Sequence, residues 1–295
     1  MRTLFALWLV GAVGFAANMP APHGGAFQRI ATLHVDSPYR HEILTGAEDN
    51  HIPHVRVTDP KEPAIAVTLR FDAVRQEHIQ PLAAASPAIG AAAPSRPEWY
   101  LQPNRLVPLD ETTRRWAREV VGTAGVRTNL EMVRAIYDHV VATVKYDKSG
   151  NEWGNSDIYY ACDTRRGNCT DFHAIFIGYA GAVGIPTRLP IGFPLRAGRG
   201  AGKISGYHGW VEFYGKASAG CQWTPRNPPR VQPSANTSLA RNDESRVELS
   251  KGRDAILAPE QQNAPLNYLV YPYVERDGGN YTGVETSYLY KDLPL

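Results

Sequence analysis

Residues 168–186, NCTDFHAIFIGYAGAVGIP, constrain this chain more than any other stretch. Phe172, Ile175, Phe176, Tyr179 and Val183 recur at spacings of three and four, which predicts one apolar helix face. Asn168 or Thr170 can cap its start, and Asp171 puts a carboxylate in the first turn, where the helix dipole favours it. Gly184 and Pro186 stop it. Cys169 stands at the head of this helix. It can be a buried thiol, half of a disulfide, a metal ligand or a nucleophile aimed by the helix start.

The rest of the chain divides by periodicity. RIATLHV, HVRV and PAIAVTLRFDAV read as strands separated by turns, so residues 24–80 predict a small antiparallel β module. Residues 81–98, rich in Ala and Pro, read as a linker. LDETTRRWAREVVG predicts a short helix with Trp116, Val120 and Val121 on one side. TNLEMVRAIYDHVVATVKYD predicts a second, with Thr128 and Glu131 in capping-box spacing. Residues 147–167 read as a long polar loop, a length that often carries function. TRLPIGFPL, YHGWVEFY and CQWTPRN follow as strands, residues 228–250 look irregular, and PLNYLVYPYVE predicts a late strand.

With 295 residues and 43% hydrophobic content, the chain can bury a sizeable core. A net charge of +2 provides no basic face for nucleic acid. MRTLFALWLVGAVGFA has one cation, a short apolar run and small residues at the −3 and −1 positions of a cleavage near Ala16. Residues 1–17 are therefore expected to be an export signal, leaving a periplasmic or secreted chain with no membrane span. Of the three cysteines, Cys162 and Cys221 could pair and leave Cys169 free, or all three could be thiols.

A thiol at a helix N-terminus sees unpaired N–H groups and positive partial charge, which favour thiolate and predict a lowered pKa. The same N–H groups can hold an oxyanion. A cysteine nucleophile also needs an imidazole and a group to orient it. Alternation places His208, Trp210, Glu212 and Tyr214 on one strand face. An antiparallel neighbour through CQWTPRN would bring Asn227 beside His208.

The blocks RRGNCTDFHAIFIGYAGAVGIPTRLPIGFPL, GYHGWVEFY and WTPRN resemble the transglutaminase-like superfamily, in particular its exported bacterial members. The resemblance runs from about Trp99 to the C-terminus. It implies an α+β fold with a papain-like transglutaminase core over residues 99–295, preceded by the β module. It further implies Cys169 as nucleophile, His208 as base and position 227 as third member. Relatives usually carry Asp there, whereas this chain has Asn227, which can orient an imidazole but cannot stabilise an imidazolium by charge. The implied activity is attack on amide or acyl bonds of a protein or peptide substrate through a thioester, with hydrolysis favoured over amine transfer. The alternative is a non-catalytic binding or structural domain with a degraded site.

Other polar residues have plainer readings. His173, four residues after Cys169 on the same helix face, can be a second imidazole or a satisfied core histidine. Asp171 reads as a helix-start carboxylate. Cys162, Cys169, His173 and His208 do not match structural zinc spacings, and no loop has calcium-ligand spacing, so no metal or other cofactor is expected. His51 and His54 read as surface residues, and Trp210 and Trp223 as core. Asn236 and Asn280 fit glycosylation tripeptides that also arise by chance.

Overall fold

The computed structural model describes residues 2–10, 14–25, 27–60, 62, 64–79, 97–196, 198, 200–215, 218–223, 241–242 and 244–293. In chain order the first strands are β1 (Arg2–Val10), β2 (Gly14–Asn18), β3 (Gln28–Asp36), β4 (His41–Thr45), β5 (His51–Thr58) and β6 (Ala64–Arg75). Four helices follow: α1 (Glu111–Ala124), α2 (Asn129–Thr143), α3 (Ile158–Thr164) and α4 (Cys169–Ala182). The later strands are β7 (Pro190–Pro194), β8 (Ala201–Ile204), β9 (Val211–Gly215), β10 (Ser218–Trp223), β11 (Arg246–Lys251), β12 (Tyr273–Arg276) and β13 (Val284–Lys291). Short pairings of two residues complete the set.

The chain forms two compact units interleaved in sequence. One comprises Met1–Gln76, Ile191–His208 and Glu244–Leu295; the other comprises Glu77–Pro190 and Gly209–Asp243. The first is a β unit. One antiparallel sheet runs β8-β13-β1-β6-β3, and another runs from Gly279–Asn280 through β12-β2-β5-β4. Alternation along β6 explains its placement. Ile65, Val67, Leu69, Phe71 and Ala73 are buried, whereas Ala66 and Arg70 face outward.

Residues 24–80 are thus not a module by themselves. Their sheets are completed by C-terminal strands, two of which the periodicity did not announce: β11 within the stretch read as irregular, and β13 after the expected late strand. The segment expected as a leader is also paired. β1 lies between β6 and β13, and β2 lies between β5 and β12 with Phe15 and Ala17 buried. His54 is buried rather than superficial, because β5 is covered on both faces over residues 52–55. Its Nδ1 lies 2.9 Å from Asn18 Oδ1 on the neighbouring strand.

The second unit is helical around α4. Every residue from Cys169 to Ala180 is buried, so the predicted stripe understates the coverage. Ile136, Tyr137 and Val140 of α2, Ile158 and Ala161 of α3, and Val211 and Phe213 of β9 share a core with Ile175, Phe176 and Tyr179. Asp110 caps α1, and the Thr128–Glu131 capping box opens α2 as expected. The long polar loop contains α3, which sequence reading missed. Asp157 caps it by accepting from the N–H groups of Tyr159 and Tyr160, and Arg165 ends it in the left-handed region. Mixed helices and antiparallel sheets make the fold α+β, with the cysteine helix packed on strand. The linker falls almost wholly outside the described residues; the turn Pro97–Leu101 follows it.

Candidate active site

The head of α4 is fixed before any chemistry is considered. Asn168 accepts from the Thr170 N–H at 2.9 Å and forms a capping box with Asp171. The Asp171 carboxylate accepts from the N–H groups of Asn168 (2.8 Å), Gly154 (2.7 Å) and Ser156 (3.0 Å). The Ser156 hydroxyl donates to the Thr170 carbonyl, and the Thr170 hydroxyl to Gly154 and Asn168. Gly167 is required where it is: its φ is +155°, and a Cβ there would collide with the Asp171 carboxylate. Asp171 is therefore a structural clamp, as its first-turn position suggested. Burial lifts its carboxyl above the usual range, and the three N–H groups oppose the shift.

The preceding loop is tied to the same turn from its other end. Lys145–Tyr146 pairs in parallel with Arg166–Gly167, and the Asp147 N–H donates to the Gly167 carbonyl at 3.1 Å. Trp153 Nε1–H donates to Gly150, and Asn155 Nδ2 to Glu152. With the Ser156 hydroxyl on Thr170, these side-chain donors are directed at backbone carbonyls.

Cys169 is a free thiol and keeps only 4% of its surface. Burial pushes its pKa up to about 11, against the N–H groups of Gly209 and Thr170 and the Lys148 charge; Asp171 reinforces the rise. The expected depression is thus reversed. The helix-start donors are present, but loss of water outweighs them. The resting group is a neutral thiol.

Gly209, whose N–H reaches the sulfur, directly follows His208 in the chain. His173 is fully buried and lies beside Gly209; a Cβ on Gly209 would meet its Nδ1 at 3.5 Å, an ordinary contact. The strand predicted over 207–214 is broken at Trp210. His208–Gly209 is a two-residue strand, and β9 begins at Val211. Trp210 and Val211 are both fully buried, so alternation there does not separate core from solvent. β9 pairs with β10 as expected, Val211 opposite Trp223 and Phe213 opposite Cys221. Asn227, Asn236 and the side chains of Cys221 and Trp223 lie outside the described residues.

Two further groups near this core resolve into structure. Glu212 is ion-paired with Arg188, whose guanidinium lies 6.0 Å from the Tyr100 ring and 5.7 Å from the Tyr214 ring. This pair brings a charge into the core in a form it can hold; no periodicity marks Arg188. Cys162 is a free thiol, 3.5 Å from the Tyr179 hydroxyl, so the Cys162–Cys221 pairing is not made. Its sulfur sits inside the helical core. Among the described residues, no group of three or more His, Cys, Asp or Glu side chains is arranged to hold a metal ion.

The profile of the transglutaminase-like superfamily matches residues 114–228, which contain Cys169, His208 and Asn227. An uncharacterised protein of Haemophilus influenzae is 23% identical over 88% of this chain and 80% of its own length. A solved structure described as "a putative cysteine protease" from Cytophaga hutchinsonii is 14% identical. It covers 100% of this chain and 92% of its own, with a TM-score of 0.61, a likeness of fold. The periplasmic domain of TgpA from Pseudomonas aeruginosa is 17% identical over 74% of this chain and 71% of its own, with a TM-score of 0.35.

Proposed function

Because this chain carries a transglutaminase-like superfamily domain over residues 114–228, we propose that it is a thiol enzyme cleaving amide bonds in proteins or peptides. Cys169 is the nucleophile, His208 the general base and Asn227 the residue that orients His208. The observation that carries this reading is the head of α4: a free thiol approached by the N–H groups of Gly209 and Thr170, on a turn clamped by Asp171.

The thiol proton passes to His208 as the sulfur attacks the carbonyl carbon. Negative charge moves to the carbonyl oxygen, which N–H groups at the helix head receive. The C–N bond then breaks, His208 returns the proton to the leaving amine, and a thioester remains on Cys169. Water, deprotonated by His208, attacks the thioester; the carboxylic acid leaves and the thiol is restored. A thiol held neutral by burial makes the base indispensable at the first step. Hydrolysis rather than transfer to an amine is supported by the protease description of the Cytophaga structure.

We also propose that the chain is exported, on the strength of its N-terminal pattern. Among the described residues, no helix is long and apolar enough to cross a membrane. Cleavage near Ala16 would remove β1 and most of β2, so N-terminal sequencing of the protein from its native host tests this part directly.

The enzymatic reading is tested by incubating the protein with a peptide mixture, quenching in acid and mapping acyl adducts by mass spectrometry. A thioester on the Cys169 peptide, absent in Cys169→Ser and discharged by hydroxylamine, is expected. Peptides left intact, with no adduct on Cys169, would leave a binding or structural domain.

A further inference from the structure

The segment from Tyr146 to Ser156 is clamped at both ends to the turn that carries Cys169. At one end, Lys145–Tyr146 pairs with Arg166–Gly167, and the Tyr146 ring lies 6.5 Å from Phe172 in the first turn of α4. At the other, Gly154 and Ser156 donate to Asp171. Between the clamps, Lys148 is exposed, with its ammonium 5.6 Å from the Tyr146 ring and 5.1 Å from the Trp153 ring. Two aromatic faces fix the position of a cation without neutralising it.

Two carboxylates of this region are otherwise engaged. Asp147 accepts from Ser149 and pairs with Arg166, and Asp171 is committed to backbone N–H groups. Among the described residues, Lys148 makes no ion pair. An exposed, positioned and unneutralised cation beside a nucleophilic thiol is poorly explained by stability, since such a charge adds little to a fold. It is well placed to meet a negative group on whatever approaches the sulfur.

We infer that Lys148, held between Tyr146 and Trp153, is a specificity-determining residue that selects substrates bearing a carboxylate next to the scissile amide. The inference rests on Cys169 being the nucleophile. It assigns a substrate class, peptides with an acidic side chain or free α-carboxylate beside the bond attacked. Lys148 takes no part in bond making; it raises the local concentration of anionic acyl donors and orients them. The Lys148 charge also acts favourably on the Cys169 thiolate, in keeping with its nearness.

Two alkylating reagents of similar size separate this charge from thiol reactivity. Iodoacetate is an anion and iodoacetamide is neutral, and both need the same thiolate, so the ratio of their rates at Cys169 cancels any change in its pKa. Rates are read by peptide mapping, because Cys162 is also a free thiol. In the wild-type chain, the iodoacetate-to-iodoacetamide ratio should exceed that of a neutral cysteine peptide by about 3- to 10-fold, as expected of a single nearby cation. Lys148→Arg should keep the ratio, Lys148→Ala should bring it to the peptide value, and Lys148→Glu should push it below. Raising the salt to 1 M should narrow the differences. An equal ratio in wild type, Lys148→Ala and Lys148→Glu would overturn the inference and leave the nucleophile intact. A Cys169 that reacts with neither reagent would overturn the nucleophile itself, and the inference with it.

Discussion

The two units each bury a polar cluster, and the clusters differ in where their bonds end. In the β unit, Gln28 donates to the carbonyls of His23 and Glu248 at 2.9 Å each and accepts from the Glu248 N–H at 3.0 Å. Asn50 exchanges bonds of 2.8 Å with the Lys251 backbone, and His23 Nε2 lies 2.9 Å from Glu248 Oε1. Amide side chains and backbone close on one another, tying β11 to distant loops; no nucleophile is enclosed. At the head of α4, carboxylate, amide and hydroxyls likewise satisfy buried N–H and C=O groups, but the turn they fix also carries the free thiol of Cys169. Buried polarity therefore does not mark a site by itself. A site appears where the network holds in place an atom it does not consume.

The sharpest way to break this comparison is to remove the atom that differs. Cys169→Ser should lower peptide turnover by about 10³-fold or more, because an alkoxide is far harder to form than a thiolate. Thermal midpoints should stay near wild type; retained turnover, followed by mass spectrometry, would place the chemistry elsewhere. Next in size is the clamp. Asp171→Ala strands two buried N–H donors and a part-buried one and should cost about 3–5 kcal/mol in urea unfolding. A loss below 1 kcal/mol would show that the network is not holding the turn.

Gln28→Ala sharpens the contrast from the other unit. Losing three bonds to buried backbone should cost about 2–3 kcal/mol while leaving Cys169 alkylation rates unchanged. A changed rate would mean that the β unit controls the thiol. The smallest effect is a pH slope. The folded Cys169 pKa of about 11 stands above the ordinary value of 9.0, so the folded state keeps a proton that the unfolded chain releases. This contribution is complete below pH 9 and is lost as pH rises toward 11, by about 3 kcal/mol at most. Cys169→Ser should lose less stability than wild type across that window in alkaline urea titrations. Parallel slopes would remove burial as the cause of the shift.

Much of this was legible in the sequence, for identifiable reasons. The helix head at 168–171, the capping box at Thr128 and the strand at 64–75 depend on local spacing and were read correctly. The completion of the β unit by residues 191–208 and 244–295 depends on contacts far apart in the chain, which periodicity does not carry. α3 was hidden because about two turns of capped helix inside a polar segment have too few apolar positions to repeat. The Cys169 pKa was misjudged because the dipole argument sees the helix but not the cover over it. Lys148 left no pattern at all, since its place follows from two clamps in the folded chain.

The central claim is that a thiol kept neutral by burial is turned on by His208. Its most direct test is the pH dependence of Cys169 alkylation by iodoacetamide in wild type and His208→Ala. A thiol with a pKa near 11 and no base is only about one part in ten thousand thiolate at pH 7. The account predicts that wild type reacts well above that level at neutral pH, with an inflection in the histidine range. In His208→Ala that inflection should vanish, leaving a rate that climbs only at strongly alkaline pH. Superimposable profiles in the two proteins would contradict it.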